Sequence, residues 1–89
     1  ILIVYALVNR PSILDLQTDR SLIRQLLLAG FDIYLIDWGY PTAEDSKLSL
    51  NDYLSNYLKH SVKQICQLHK VQAINLLGIC QGGIMSICY

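Results

Sequence analysis

The sequence predicts an α/β fold built on a parallel sheet. Short apolar runs alternate with longer amphipathic stretches, in the order strand, helix, strand, helix, strand and the start of a helix. The apolar runs are continuous, as strands covered on both faces require. Hydrophobic residues make up 53% of the 89 positions and the mean hydropathy is +0.34, which suits the central slab of such a sheet.

The first strand is Ile1-Leu2-Ile3-Val4-Tyr5-Ala6-Leu7-Val8. Asn9-Arg10-Pro11-Ser12 ends it, because Pro11 has no N–H and biases Arg10 away from helix. Leu22, Ile23, Leu26 and Leu27 then mark a short helical stripe, with Ser21 or Asp19 as its cap and Gly30 as its stop. Asp32-Ile33-Tyr34-Leu35-Ile36 is the second strand, and Asp37-Trp38-Gly39-Tyr40-Pro41 turns the chain away from it.

A polar loop follows at residues 42–47. Ser49 and Asp52 have the spacing of a capping box. Leu50, Tyr53, Leu54, Tyr57, Leu58, Val62, Ile65, Cys66 and His69 keep helical spacing from there to about Lys70. His69 and Lys70 suit the negative end of that helix. Ala73-Ile74-Asn75-Leu76-Leu77 is the third strand, and a helix starts near Gly82. No internal repeat or low-complexity segment interrupts this order. The chain opens inside an apolar run and closes a few residues into its last helix. It therefore reads as residues 1–89 of one larger catalytic domain, a fragment not expected to fold alone.

Seven basic and seven acidic residues leave no net charge and no basic cluster, which argues against nucleic-acid or anionic-membrane binding. The run at residues 1–8 falls far short of the ~20 apolar residues that span a bilayer. Cys66, Cys80 and Cys88 are odd in number and lack C-x-x-C spacing, so neither a metal site nor a disulfide framework is expected. A reducing cytoplasm suits this cysteine usage.

Gly78-Ile79-Cys80-Gln81-Gly82 carries the chemistry. A buried strand that must reverse sharply into a helix needs glycines beside the turn, because Cβ atoms there would block the approach. This is the G-x-nucleophile-x-G elbow of the α/β-hydrolases, with cysteine in place of serine. Unpaired N–H groups and the positive end of the helix dipole favour negative charge at such a position. The backbone N–H of Gln81 is one expected oxyanion donor, and that of Val8 or Asn9, after the first strand, is the second.

The plainer reading of Cys80 is a small residue under a tight turn, but the strand before it and the helix after it favour the nucleophile. Cys66 and Cys88 read as core residues, Cys88 by its inward register on the last helix. His60 and His69 precede the nucleophile, whereas the catalytic His of this architecture follows it, so neither is expected to be the base. Asp37 either shapes the pocket or forms the turn before Trp38-Gly39, and Trp38 either lines an entry to the site or fixes its loop. Arg10 either lines an entry or fixes its loop. Tyr53 and Tyr57 are expected to pack along their helix.

Four stretches together resemble the polyhydroxyalkanoate synthases. They are Val4-Tyr5-Ala6-Leu7-Val8-Asn9-Arg10-Pro11, Leu14-Asp15-Leu16-Gln17, Asp32-Ile33-Tyr34-Leu35-Ile36-Asp37-Trp38-Gly39 and Asn75-Leu76-Leu77-Gly78-Ile79-Cys80-Gln81-Gly82-Gly83. The likeness covers essentially the whole chain and is strongest to the class III enzymes, with class IV close behind. It implies an α/β-hydrolase fold in which these are the third to fifth strands. It also implies that Cys80 carries a growing polyester made from 3-hydroxyacyl-CoA, 3-hydroxybutyryl-CoA being the expected monomer donor. The catalytic Asp and His would follow the elbow, beyond residue 89, so the fragment alone should be inactive. An E-type subunit, a homo-oligomer and the polyester granule surface are the implied partners. No cofactor is implied beyond the coenzyme A that the substrate carries. Two other readings stand beside this one: a cysteine-elbow hydrolase acting on lactones or thioesters, and a non-catalytic subunit with the same fold.

Overall fold

The computed structural model describes residues 1–7, 14–39 and 43–89. The chain runs through β1 (Leu2–Val4), a hairpin of β2 (Asp15–Gln17) and β3 (Arg20–Ser21), α1 (Leu22–Leu28) and β4 (Tyr34–Leu35). It continues through a 3-10 turn (Ala43–Lys47), α2 (Leu50–Asp52), a π-helical stretch (Tyr53–Leu58), α3 (Lys59–His69), β5 (Leu76–Gly78) and α4 (Gln81–Cys88).

β1 lies in the middle of a parallel sheet ordered β4-β1-β5. Leu2 pairs with Tyr34 on one side and Leu76 on the other; Ile3 pairs with Leu35 and Leu77, and Val4 with Gly78. Successive strand residues point to opposite faces, and β1 is apolar on both. Leu2 and Val4 join Ile36, Leu58 and Met85 in one buried cluster. Ile3 joins Tyr5, Ala6 and Leu14 in another. Leu54, Val62 and Ile65 of the long helix pack on the first cluster, while Ile23 and Leu26 of α1 pack on the second.

The two connections therefore cover opposite faces. The chain leaving β1 leads to the α1 face, and the chain leaving β5 enters α4 on the other. Adjacent parallel strands whose exits diverge leave a crevice at their carboxyl ends, where ligands of α/β sheets bind.

The strands are shorter than the apolar runs suggested, because the ladder extends only where a neighbour faces it. On the β4 side its bonds run from the Tyr34 N–H on the Ile1 carbonyl, 2.9 Å, to the Ile36 N–H on the Ile3 carbonyl, 3.1 Å. On the β5 side they run from the Leu2 N–H on the Asn75 carbonyl, 2.9 Å, to the Ile79 N–H on the Val4 carbonyl, 3.0 Å. Tyr5 and Ala6 are buried beyond the ladder, whereas Ala73 is exposed outside it. β5 reaches Gly78, further than its apolar run, since Gly78 pairs with Val4.

The β2–β3 hairpin was not expected. Ser21 anchors it by donating to Asp15 Oδ1, and the same hydroxyl accepts from the Arg24 N–H at 2.9 Å. Ser21 rather than Asp19 thus caps α1. Gly30, at φ +93°, follows its C-cap Ala29, where the stop was expected. The long helix departs from pure α geometry between Tyr53 and Leu58. This wider turn holds Leu58 fully buried and Tyr53 and Leu54 against the core, while Tyr57 stays exposed. Lys70 closes α3 in the left-handed conformation.

The Ser49–Asp52 capping box is present. Ser49 Oγ accepts from the Asp52 N–H, and Asp52 Oδ2 accepts from the Ser49 N–H at 2.8 Å. These bonds to the backbone and hydroxyl of Ser49 hold the Asp52 carboxyl below its usual 3.8. A carboxylate lowered in the fold stabilises it above the unfolded value, and that contribution is lost as pH falls through the folded value. The Asp52 contribution is accordingly expected to be intact at neutral pH and to disappear below pH about 4. Acid titration of the full-length protein against its Asp52→Asn variant checks this: the variant should be less stable at pH 7, with the difference closing at low pH.

Candidate nucleophile site

The elbow forms directly beyond β5. Ile79 donates to the Val4 carbonyl at 3.0 Å, so the last residue before the nucleophile is tied to the central strand. Cys80 then takes φ 58° and ψ −127°, a conformation that costs about 1–3 kcal/mol and persists where surrounding contacts enforce it. The Gly82 N–H closes onto the Ile79 carbonyl at 3.0 Å, and the Gly83 N–H onto the Cys80 carbonyl at 2.9 Å. The thiol stands exposed at the N-cap of α4.

Both flanking glycines are required by contact. A Cβ on Gly78 would lie 2.5 Å from Gly83 Cα, and one on Gly82 would collide with the Val4 carbonyl oxygen. The elbow thereby presses α4 against β1 as well as against β5.

Gln81 begins α4, where N–H groups have no intrahelical acceptor. The turn bonds use the amides of Gly82 and Gly83 and leave that of Gln81 beside the thiol-bearing residue. Its side chain adds a contact that sequence reasoning missed: Gln81 Oε1 accepts from the Leu7 N–H at 3.0 Å. Val8, Asn9 and Arg10, expected to supply the second oxyanion donor and to shape the site, lie outside the described residues.

Asp37 Oδ1 accepts from the Gly39 N–H at 2.9 Å, which makes the tight turn after β4. Trp38 reaches back to the central strand, donating from Nε1 to the Tyr5 carbonyl at 3.0 Å with its ring edge-on to Tyr53. Both residues also border an open cavity of about 950 Å³, together with Tyr34, Tyr53, Tyr57 and His60. Cys80 is not among the residues lining it.

Cys66 is half-buried on α3. Cys88 was expected to face the core, but it is exposed. The inward line of α4 runs through Gly82 and Met85, and Cys88 sits at its last residue, past the apolar clusters of the described residues. His69 Nε2 shares a hydrogen bond with Tyr34 Oη, 2.6 Å, rather than lying against the helix end alone. No cluster of metal-ligating side chains occurs among the described residues, and no helix there is long and apolar enough to cross a membrane.

A model of the alpha/beta hydrolase fold family matches residues 1–89, and the chain belongs to that family. Within it, the chain is similar to poly(3-hydroxyalkanoate) polymerase subunits, as its sequence stretches indicated. It is 58% identical over 89 residues to subunit PhaC of Synechocystis sp., covering 100% of this chain and 24% of that protein. It is 55% identical to the subunit of Thiocystis violacea, again over 100% of this chain and 25% of the relative. The subunit of Cupriavidus necator is 30% identical over 83 residues, 93% of this chain and 14% of that protein. The chain thus spans about a quarter of the length of the first two relatives. No solved structure matches it.

Proposed function

We propose that this chain is the nucleophile-bearing part of a polyhydroxyalkanoate synthase. The observation that carries this reading is Cys80, exposed in a strained turn at the carboxyl end of β5 with the Gln81 amide beside it. A side chain held this way meets an incoming acyl carbonyl with a helix N-terminus behind the developing oxyanion.

In the loading step the Cys80 thiol gives its proton to a base and its sulfur attacks the thioester carbonyl of 3-hydroxyacyl-CoA. A new S–C bond forms as the S–C bond to coenzyme A breaks, and the departing thiolate recovers the proton as free CoA. One thioester replaces another, so the acyl group stays activated. A hydroxyl of the next monomer or of the chain end then attacks it to form the more stable oxoester, and the base now takes the hydroxyl proton. An Asp and a His after the elbow, as the resemblance implies, would supply that base. No cofactor is called for, since coenzyme A arrives on the substrate.

The strongest likeness, to the class III enzymes, supports assembly with an E-type subunit and with further copies at the granule surface in the cytoplasm. Incubating the full-length enzyme, with its E-type subunit, with 3-hydroxybutyryl-CoA tests the reading. CoA release with insoluble polyester is the expected result. Free 3-hydroxybutyrate without polymer would mean a hydrolase, and absence of CoA release would mean a non-catalytic subunit; either overturns the synthase assignment.

A further inference from the structure

We propose that the Gln81 side chain is a positioning residue for acyl transfer, holding the chain that leaves β1 in register with the nucleophile elbow. The inference rests on Cys80 being the nucleophile.

The backbone of Gln81 follows Cys80 and opens α4, so its position is fixed by the elbow. Its side chain leaves that element and accepts from the Leu7 N–H at 3.0 Å, across 74 residues of sequence, in a half-buried setting. Leu7 lies past the ladder and has no strand partner among the described residues. The Gln81 amide group is thus a bridge between the chain ends leaving β1 and β5. It also removes the Leu7 N–H from the set of free donors. Val8 and Asn9, from which the sequence leads us to expect the second oxyanion donor, are the next residues along the chain.

An oxyanion hole made of two amides on different chain segments works only when their separation is set. Misplacement by about 1 Å can cost ~100-fold in rate. Near neighbours of glutamine in size lack the required group: leucine and methionine carry no oxygen to accept from Leu7 and would leave that half-buried N–H unpaired.

Two reactions of the full-length enzyme separate positioning from general support. Acylation by 3-hydroxybutyryl-CoA passes through an oxyanion; alkylation of the same thiol by iodoacetamide does not. Gln81→Leu is expected to lower the acylation rate by about 10–100-fold, mainly in kcat, while the alkylation rate of Cys80 stays close to that of the wild type. Should Gln81→Leu not fold, the unbranched Gln81→Met serves in its place with the same expected outcome. Unchanged acylation overturns the proposal, and so does a parallel fall in acylation and alkylation, which would mean a distorted elbow. Acyl label found on a residue other than Cys80 in the wild type would instead remove the nucleophile reading itself, and peptide mapping distinguishes the two failures.

Discussion

Cys80→Ala in the full-length protein is expected to abolish acyl-enzyme formation, with turnover falling on the order of 10⁴-fold or more. The other cysteines should not share this effect. Cys66 is half-buried on α3 and Cys88 lies at the end of α4, and neither occupies the turn beyond the strand whose neighbour is β1. Cys66→Ala and Cys88→Ala should therefore load acyl groups at nearly the wild-type rate. Intact-mass measurement after brief exposure to 3-hydroxybutyryl-CoA reads this directly. Equal loss of the adduct in Cys66→Ala or Cys88→Ala would show that the nucleophile has been misassigned. Cys80→Ser sharpens the test: a serine ester is already the oxoester of the product, so loading would dissipate the driving force that sulfur conserves for chain extension.

The elbow was legible in the sequence because its requirements are local. A strand, a sharp reversal and a helix within a few residues leave glycines at fixed positions, and the collisions a Cβ would meet at Gly78 and Gly82 are the physical form of that signal. The Ser49–Asp52 cap was legible for the same reason, since donor and acceptor lie within one turn. The bonds that join distant segments left no such trace. Gln81 to Leu7 and Trp38 to Tyr5 each link a polar side-chain atom to a backbone group, which is present at almost every residue and so marks no partner. Strand length was overestimated because hydrophobicity records burial, whereas a ladder also needs a neighbouring strand; Tyr5 and Ala6 have the first without the second. Cys88 was misplaced because helical register gives a direction and not the reach of the sheet beneath it.

Gly82→Ala is expected to destabilise the protein by about 3 kcal/mol, at the upper end of the usual cost of overpacking, and to remove activity with it. The added methyl would meet the carbonyl of Val4, a backbone group in the fully buried central strand that cannot swing aside as a side-chain tip could. That carbonyl also accepts the Ile79 N–H at 3.0 Å, so displacing it would loosen the turn that presents Cys80. Gly83→Ala, one residue on, provides the contrast. A Cβ there meets the Gly78 carbonyl at ordinary contact distance, its oxygen at 3.5 Å and its carbon at 3.7 Å, and alanine is favoured over glycine in a helix by up to ~1 kcal/mol. Denaturant midpoints of the two full-length variants should therefore fall on opposite sides of a clear gap, Gly83→Ala near the wild type and Gly82→Ala well below it. Matching midpoints would mean that α4 does not rest on β1 at Gly82. The Ile79 and Gly82 contacts to Val4 would then no longer explain how the strained cysteine is held in place.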